Sequence, residues 1–415
     1  MTRSFSGGGI VLVYVSQGVG ALFPLLVAPL IVRSSGLAEF GVYAILLMCA
    51  QGGALISEYS FDAYGPRLIS SRGGCSLSAS ESFWDILAVK LVLIPFAVLA
   101  AIVAAGVLVS GEMGWAVAIG IVLHVASVAA QAQWHLLSTN QPYLLAAASI
   151  VSRLFSLAAI VVLLKVGSGG AVAFFVATCA GACFGAVVAV AFNRHIRGGI
   201  RLVPRMEMLI AAAPAFIGVA GSFVQNFVGQ AIAGSIGGPS GAGAFAAVDR
   251  IARGLSAGLK PIFMVSYPRM ARMHVEEPVR GRRLVLQVAV CWLLISPIVV
   301  FLAVAFGDEL LLALYGQVMS GHETLLAILV GWLCIGILNN VLGIQGILAS
   351  GWDRQYASAM WLGILAAVTS GLVLHLQLGL PGAMIAALSV LAGEVAIAAY
   401  YAFWYMRNDG SSLEG

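Results

Sequence analysis

The sequence predicts an all-α polytopic membrane protein, with about twelve transmembrane helices in two similar six-helix halves. Three observations predict it. The composition is too apolar for a water-soluble chain. Apolar segments of spanning length follow one another from end to end. One stretch also recurs at a fixed offset.

Of the 415 residues, 61% are apolar and 9% charged, whereas soluble domains carry about 25% charged residues. The excess of Ala, Val, Leu, Ile and Gly runs over the whole length, so no soluble domain is expected. A span needs roughly 20 apolar residues. Spans are predicted over 9–32, 41–64, 84–109, 115–137, 143–164, 171–192, 208–235, 243–266, 285–306, 323–348, 356–376 and 381–405. Turn-forming clusters separate them, as at Asn140-Gln141-Pro142, Gly237-Gly238-Pro239 and Gly379-Leu380-Pro381.

Arg3 precedes a long apolar stretch without an evident small-residue cleavage site, so the first span is expected to be retained. Five of the six cysteines (Cys49, Cys179, Cys183, Cys291 and Cys334, with Cys75 outside) lie in apolar segments and read as packing residues. Cys179 and Cys183 share a helix face, yet no His or acid accompanies them, so no metal ligand set is expected. No basic patch with interleaved aromatics supports nucleic-acid binding. No Gly-x4-Gly-Lys-Ser/Thr loop supports ATP hydrolysis, and no cofactor motif is evident.

Charge placement orients the spans. With the N-terminus in the cytoplasm, the inner segments hold Arg3, Arg67, Arg72, Arg194, Arg197, Arg201, Arg205, Arg269, Arg272, Arg280, Arg282, Arg283, Arg354 and Arg407. The outer loops then hold only Arg33 and Lys165. The positive-inside rule therefore puts both termini in the cytoplasm.

Residues 36–70 align without gaps to 238–272, at a constant offset of 202. The pairs are Gly36/Gly238, Gly41/Gly243, Tyr43/Phe245, Ala44/Ala246, Ala50/Ala252, Gly52/Gly254, Phe61/Phe263, Pro66/Pro268 and Arg67/Arg269. Each copy reads as a Gly-x4-Gly loop, an aromatic-Ala start, a span and a Pro-Arg exit. An even number of spans separates them, so the halves face the same way, as in parallel-repeat transporters. The lobes are expected at 1–204 and 205–415. Coincident loop chemistry is the competing explanation.

Ionisable groups inside spans mark functional candidates. Arg153 in span 5 lies roughly 15 Å from the inner face; it is either a substrate contact or a partner for a bundle carbonyl or carboxylate. Span 8 carries Asp249, Arg250, Arg253 and Lys260. At 100° per residue, these fall within one sector of about 100°. Such a stripe is expected to line a water-filled cavity. Asp249 and Arg253 have the spacing and order of an intrahelical ion pair, which would leave Arg250 the freer cation. Lys260 has an alternative, snorkelling to the inner face, and Pro261 is expected to kink the helix.

Glu58 and Asp62 near the end of span 2 are expected to be structural, with Arg67 and Lys90 as partners. Glu394 in span 12 reads as deep and isolated, paired with a bundle cation or able to take up a proton and couple an ion. Gln17, Gln225, Asn226, Gln230, Asn339, Asn340 and Gln345 are polar groups for helix–helix bonding, with sugar binding the rarer use. Of these, Gln17, Gln225 and Asn226 join the candidate substrate site. Pro24, Pro29 and Pro214 suggest bent or discontinuous first spans in each half. An arginine in each half implies an anionic cargo such as a phosphate or diphosphate.

Several motifs carry a resemblance over most of the chain. They are Tyr14-Val-Ser-Gln17, Pro24-Leu-Leu-Val-Ala-Pro29, Gly36-Leu-Ala-Glu-Phe-Gly-Val-Tyr-Ala44, Gln131-Ala-Gln-Trp-His135, Ile150-Val-Ser-Arg153, Gly243-Ala-Phe-Ala-Ala-Val-Asp-Arg-Ile251, Tyr267-Pro-Arg269 and Asp308–Gly316. In order and spacing the chain resembles the polysaccharide-transporter (Wzx-type) flippases of the multidrug/oligosaccharidyl-lipid/polysaccharide (MOP) superfamily. The resemblance implies a V-shaped pair of six-helix lobes around a cationic central cavity in the bacterial inner membrane. It implies a non-enzymatic flippase for undecaprenyl-diphosphate-linked oligosaccharide, with polymerase and chain-length proteins as partners. It points to Arg153, Asp249, Arg250 and Arg253 as site residues. A cation-coupled drug exporter of the same superfamily would be expected to present acids to its cargo. A membrane polymerase or glycosyltransferase would need a catalytic carboxylate or a large outward loop.

Overall fold

A computed structural model describes residues 7–72, 76–109, 114–167, 169–196 and 202–407. Every regular element in them is helical: α1 (Gly7–Glu58), α2 (Phe61–Ser71), α3 (Ser76–Leu108), α4 (Trp115–Gln131), α5 (Gln133–Ser138), α6 (Pro142–Val166), α7 (Ala171–Phe192), α8 (Glu207–Glu276), α9 (Pro278–Tyr315), α10 (Glu323–Asn339), α11 (Asp353–Leu378) and α12 (Gly382–Arg407). Arg3, Cys75, Arg197 and Arg201 lie outside the described residues, as do the side chains of Gln17, Arg67, Lys260 and Arg269.

Among the described residues, ten segments are long and apolar enough to cross a membrane. Two of them lie in helices too long for one crossing. At 1.5 Å per residue, the 52 residues of α1 and 70 of α8 exceed twice the roughly 30 Å hydrocarbon thickness. Each contains one non-helical residue, Gly36 (φ 85°) or Gly238 (φ 61°). Positive φ is accessible to glycine without the clash a Cβ would bring. Each glycine therefore divides its helix, and the ten segments supply twelve crossings. The loops expected at 33–40 and 236–242 reduce to these single-residue breaks. Pro24, Pro29, Pro214 and Pro261 lie within helical backbone, and the non-helical residues of α1 and α8 are the two glycines.

Other ends follow local chemistry. Pro142 and Pro278 open α6 and α9 at their first turn, where a missing N–H costs no helical bond. Gly167, at φ 72°, closes α6 with its N–H on the carbonyls of Leu163 and Leu164. The second crossing stops earlier than expected. Tyr59 and Ser60 adopt φ of 43° and 60°, so Glu58 ends α1 and Asp62 falls in the first turn of a separate helix, α2. Asn340–Leu348 continues α10 as a π-helix, a rare geometry that often accompanies functional positions.

The chain forms two compact units. One comprises residues 1–27 and 42–220, the other residues 28–41 and 221–415. In the first, α6 and α4 pack on α7 and α3 packs on α4. Gly181 and Gly185 of α7 allow close approach to α6: a Cβ at 181 would lie 2.0 Å from Ser156 Oγ, and one at 185 would lie 2.7 Å from the Ala148 carbonyl. This is the small-residue contact on which membrane helix packing relies. Lys90 Nζ lies 2.6 Å from Glu58 Oε1, confirming that expected pair. Asp85 binds Arg72 at 2.9 Å and Arg205 at 3.6 Å.

In the second unit, α9, α11 and α12 pack around α10 and its π-helical extension. Tyr401, Tyr405, Ile397 and Leu342 lie in its core. The repeat acquires a physical meaning here. A Cβ on Gly41 would lie 1.8 Å from the Pro239 carbonyl oxygen, and one on Gly243 would lie 1.9 Å from that of Leu37. Leu37 and Pro239 are themselves related by the offset of 202. Within this unit the starts of the two copies thus pack reciprocally, each glycine against the other's backbone carbonyl.

Large apolar side chains face outward, including Ile210 at 81% and Leu294 at 71% exposure. In water such surface is unfavourable; against lipid tails it is the ordinary partner. The five described cysteines are free.

Candidate functional site

The first unit carries Arg153 near the middle of α6. Its Nη1 donates to the Ser149 carbonyl at 3.2 Å and to Ser149 Oγ, one turn earlier. Its Nη2 lies over the bare backbone of Gly20 in α1, 2.7 Å from where a Cβ would stand. Among the described residues it forms no ion pair with a carboxylate. Lys90, a buried cation of the same unit, has one in Glu58. A half-buried guanidinium without a counter-ion is a ready receptor for an oxyanion.

The second unit gathers most of the other candidates. Asp249 and Arg253 form the pair their spacing predicts, with Nε 2.6 Å from Asp249 Oδ2. Arg253 Nη1 donates to Asn226 Oδ1 at 3.0 Å and Nη2 to the Asn226 carbonyl at 2.7 Å. Its guanidinium carbon lies 5.3 Å from the Trp332 ring centroid and 6.0 Å from that of Phe227. Arg253 is thus held on several sides and joins the first helical stretch of this unit's α8 segment to the second. Arg250 stacks 4.5 Å over the fully buried Phe40 ring, a favourable cation–π contact in a desolvated setting.

Glu394 corrects the expectation of an isolated acid. Its Oε1 accepts from Gln225 Nε2 at 3.2 Å, and its Oε2 accepts from Asn339 Nδ2 at 2.6 Å. Asn339 Nδ2 also reaches the Glu394 carbonyl at 2.9 Å. The partners lie on α8 and α10, far from α12 in sequence, so helical spacing could not reveal them. Gln225 Oε1 and Asn339 Oδ1 are buried without hydrogen-bond partners among the described residues, which leaves acceptor oxygens around the carboxylate.

The expected polar bonding is present at two further residues. Gln230 Nε2 donates to the Ala242 carbonyl at 3.2 Å. Gln345, in the π-helix, donates to the Phe263 carbonyl at 3.0 Å and accepts from Ser266 Oγ at 3.3 Å. Sequence reasoning passed over Gly20, Phe40 and Trp332, the residues that hold the cations. Phe40 sits within the Gly36–Ala44 motif, and Trp332 is the only tryptophan of α10, but neither signals its cation partner without tertiary contact.

Comparison with known proteins fits this architecture. A family profile described as "Polysaccharide biosynthesis protein" matches residues 6–274. The "Putative O-antigen transporter" of Escherichia coli (strain K12) is 24% identical over 406 residues, covering 96% of each chain. Among solved structures, the "Lipid II flippase MurJ, inward closed conformation" superposes with a TM-score of 0.68 at 12% identity, covering 95% of this chain and 87% of that one. An inward-facing multidrug resistance MATE family transporter of the MOP superfamily superposes at 0.66 with 16% identity, covering 98% and 96%. At those identities the likeness establishes the fold. The profile covers well over half of the chain, so this multi-pass membrane protein belongs to the polysaccharide biosynthesis protein family and has a MOP-superfamily transporter fold.

Proposed function

We propose that this protein is a flippase for undecaprenyl-diphosphate-linked oligosaccharide. It moves an O-antigen, capsule or exopolysaccharide repeat unit from the cytoplasmic to the outer leaflet of the bacterial inner membrane by alternating access. Two six-span lobes, 1–204 and 205–415, carry the motion, and both termini face the cytoplasm.

The observation that carries this reading is Arg153, a half-buried guanidinium with no carboxylate partner among the described residues. A diphosphate supplies the missing negative charge, and a guanidinium fork matches its oxygens. Outward movement of that anion from a negative interior releases about 2.3 kcal/mol per charge per 100 mV. The membrane potential therefore assists the flip. Arg250, together with Asp249, Arg253, Asn226 and Gln225, forms the second unit's part of the proposed substrate site. Lys260 and Gln17 belong to the same proposed set.

Deletion of the gene should abolish surface polysaccharide while lipid-linked repeat units build up on the inner leaflet. Build-up of single unpolymerised units on the outer leaflet would instead identify a polymerase. Arg153→Gln and Arg250→Gln variants are expected to reach the membrane at normal levels and fail to complement. Full complementation by both would remove these arginines from the site.

Glu394 is the proposed ion-coupling group, since a buried carboxylate beside unpartnered acceptor oxygens can hold a proton or cation. Glu394→Gln should leave flipping in vesicles insensitive to an imposed proton or sodium gradient. An unaltered gradient response in that variant would exclude the role.

A further inference from the structure

We propose that Gly20 is a positioning residue for anion binding, the seat that holds the Arg153 guanidinium with its two-nitrogen edge open. The proposal rests on the reading of Arg153 as an oxyanion contact and adds the group that sets its geometry.

Two contacts fix the guanidinium. Nη1 is tied to Ser149 on Arg153's own helix. On another side the plane meets α1 where there is no side chain: a Cβ at position 20 would lie 2.7 Å from Nη2, 3.3 Å from Cζ and 3.8 Å from Nε. Ordinary carbon contacts begin at about 3.5 Å, so the guanidinium occupies space that any other residue at 20 would fill. Nε and Nη2 donate to no group among the described residues, while Nη1 is used. The Nε/Nη2 edge can present two parallel N–H groups, the arrangement that grips a phosphate oxygen pair. Ser149 thus takes the nitrogen that a bidentate anion does not need, and Gly20 gives the rest of the fork room to lie flat.

A methyl at 20 would meet the end of a long side chain rather than a carbonyl. The guanidinium can swing away, so the fold should survive while the anion-binding geometry is lost. Gly18, two residues earlier on the same helix, supplies an internal control, because a Cβ there meets nothing within 4 Å. Both substitutions raise helix propensity alike.

The test is binding of farnesyl diphosphate to the purified full-length protein, with uncharged farnesol as the reference ligand. Wild type and Gly18→Ala should bind the diphosphate equally. Gly20→Ala should weaken it by roughly tenfold or more without changing farnesol binding. Arg153→Lys alone should also weaken it. The slimmer lysine leaves the space free, so Gly20→Ala/Arg153→Lys should bind no worse than Arg153→Lys. Wild-type affinity in Gly20→Ala, or losses that multiply in the double variant, would overturn the seat. If Gly20→Ala does not accumulate, the double variant must accumulate and match Arg153→Lys; its failure would likewise overturn the proposal. Diphosphate binding unchanged in Arg153→Gln would refute the anion site itself. Loss in Arg153→Gln with full binding in Gly20→Ala would refute Gly20 alone.

Discussion

Gly243→Ala is expected to destabilise the protein by about 3 kcal/mol or more, the upper end for forced overpacking. The added methyl would lie 1.9 Å from the Leu37 carbonyl oxygen, 2.8 Å from its carbon and 3.2 Å from the Gly41 nitrogen. These are backbone atoms of helices, and a carbonyl committed to a helix cannot rotate aside as a side chain can. Gly41→Ala meets the mirror-related obstruction, with Pro239 O at 1.8 Å and Gly243 N at 2.7 Å, and should cost a similar amount. The pair lies at one crossing, so the two effects should not add in the double variant. Gly331→Ala, where a Cβ meets nothing within 4 Å, should be neutral or mildly stabilising. Thermal unfolding of the detergent-solubilised protein measures all four. A Gly243→Ala melting temperature equal to wild type would refute the close crossing.

Lys90→Met is expected to cost about 3–5 kcal/mol, the usual penalty for leaving a buried carboxylate without its cation. Lys90 is 1% exposed, and Glu58 Oε1 at 2.6 Å is its ion-pair partner. Its second acceptor is the Ala129 carbonyl at 3.4 Å. Glu58 Oε2 has no hydrogen-bond partner among the described residues, so none of them is in place to take over from Lys90. Glu58→Gln/Lys90→Met should recover much of the loss, because no net charge remains to be desolvated. A double variant as unstable as Lys90→Met would mean that shape rather than charge compensation holds the site. The pair also abuts the left-handed residues Tyr59 and Ser60, and Tyr59 stacks on Phe216 at 4.3 Å. The helix break is therefore braced on both sides.

The candidate site was legible wherever a single helix contains the relationship. Asp249 and Arg253 are four residues apart on one continuous helix, so periodicity alone put their side chains in reach, and the structure joins them at 2.6 Å. Glu394 was misread as isolated because its amide partners come from two other helices. Gly20, Phe40 and Trp332 went unnoticed for the same reason: a glycine, a phenylalanine and a tryptophan in apolar segments carry no local mark of the guanidinium each one meets.

By itself the sequence determined the membrane-spanning helical class, the order of the apolar helices along the chain and the equivalence of Gly36 with Gly238. Apolar length and local backbone freedom are properties of short stretches, and both can be read from residue types. Only the tertiary structure decided that the turn between paired crossings is a single left-handed glycine, and that Gly41 and Gly243 meet reciprocally. It alone decided which of the described cations meet a carboxylate, as Lys90 and Arg253 do. Those outcomes depend on distances between helices far apart in the chain, where a charge is settled by whichever group the packing brings against it.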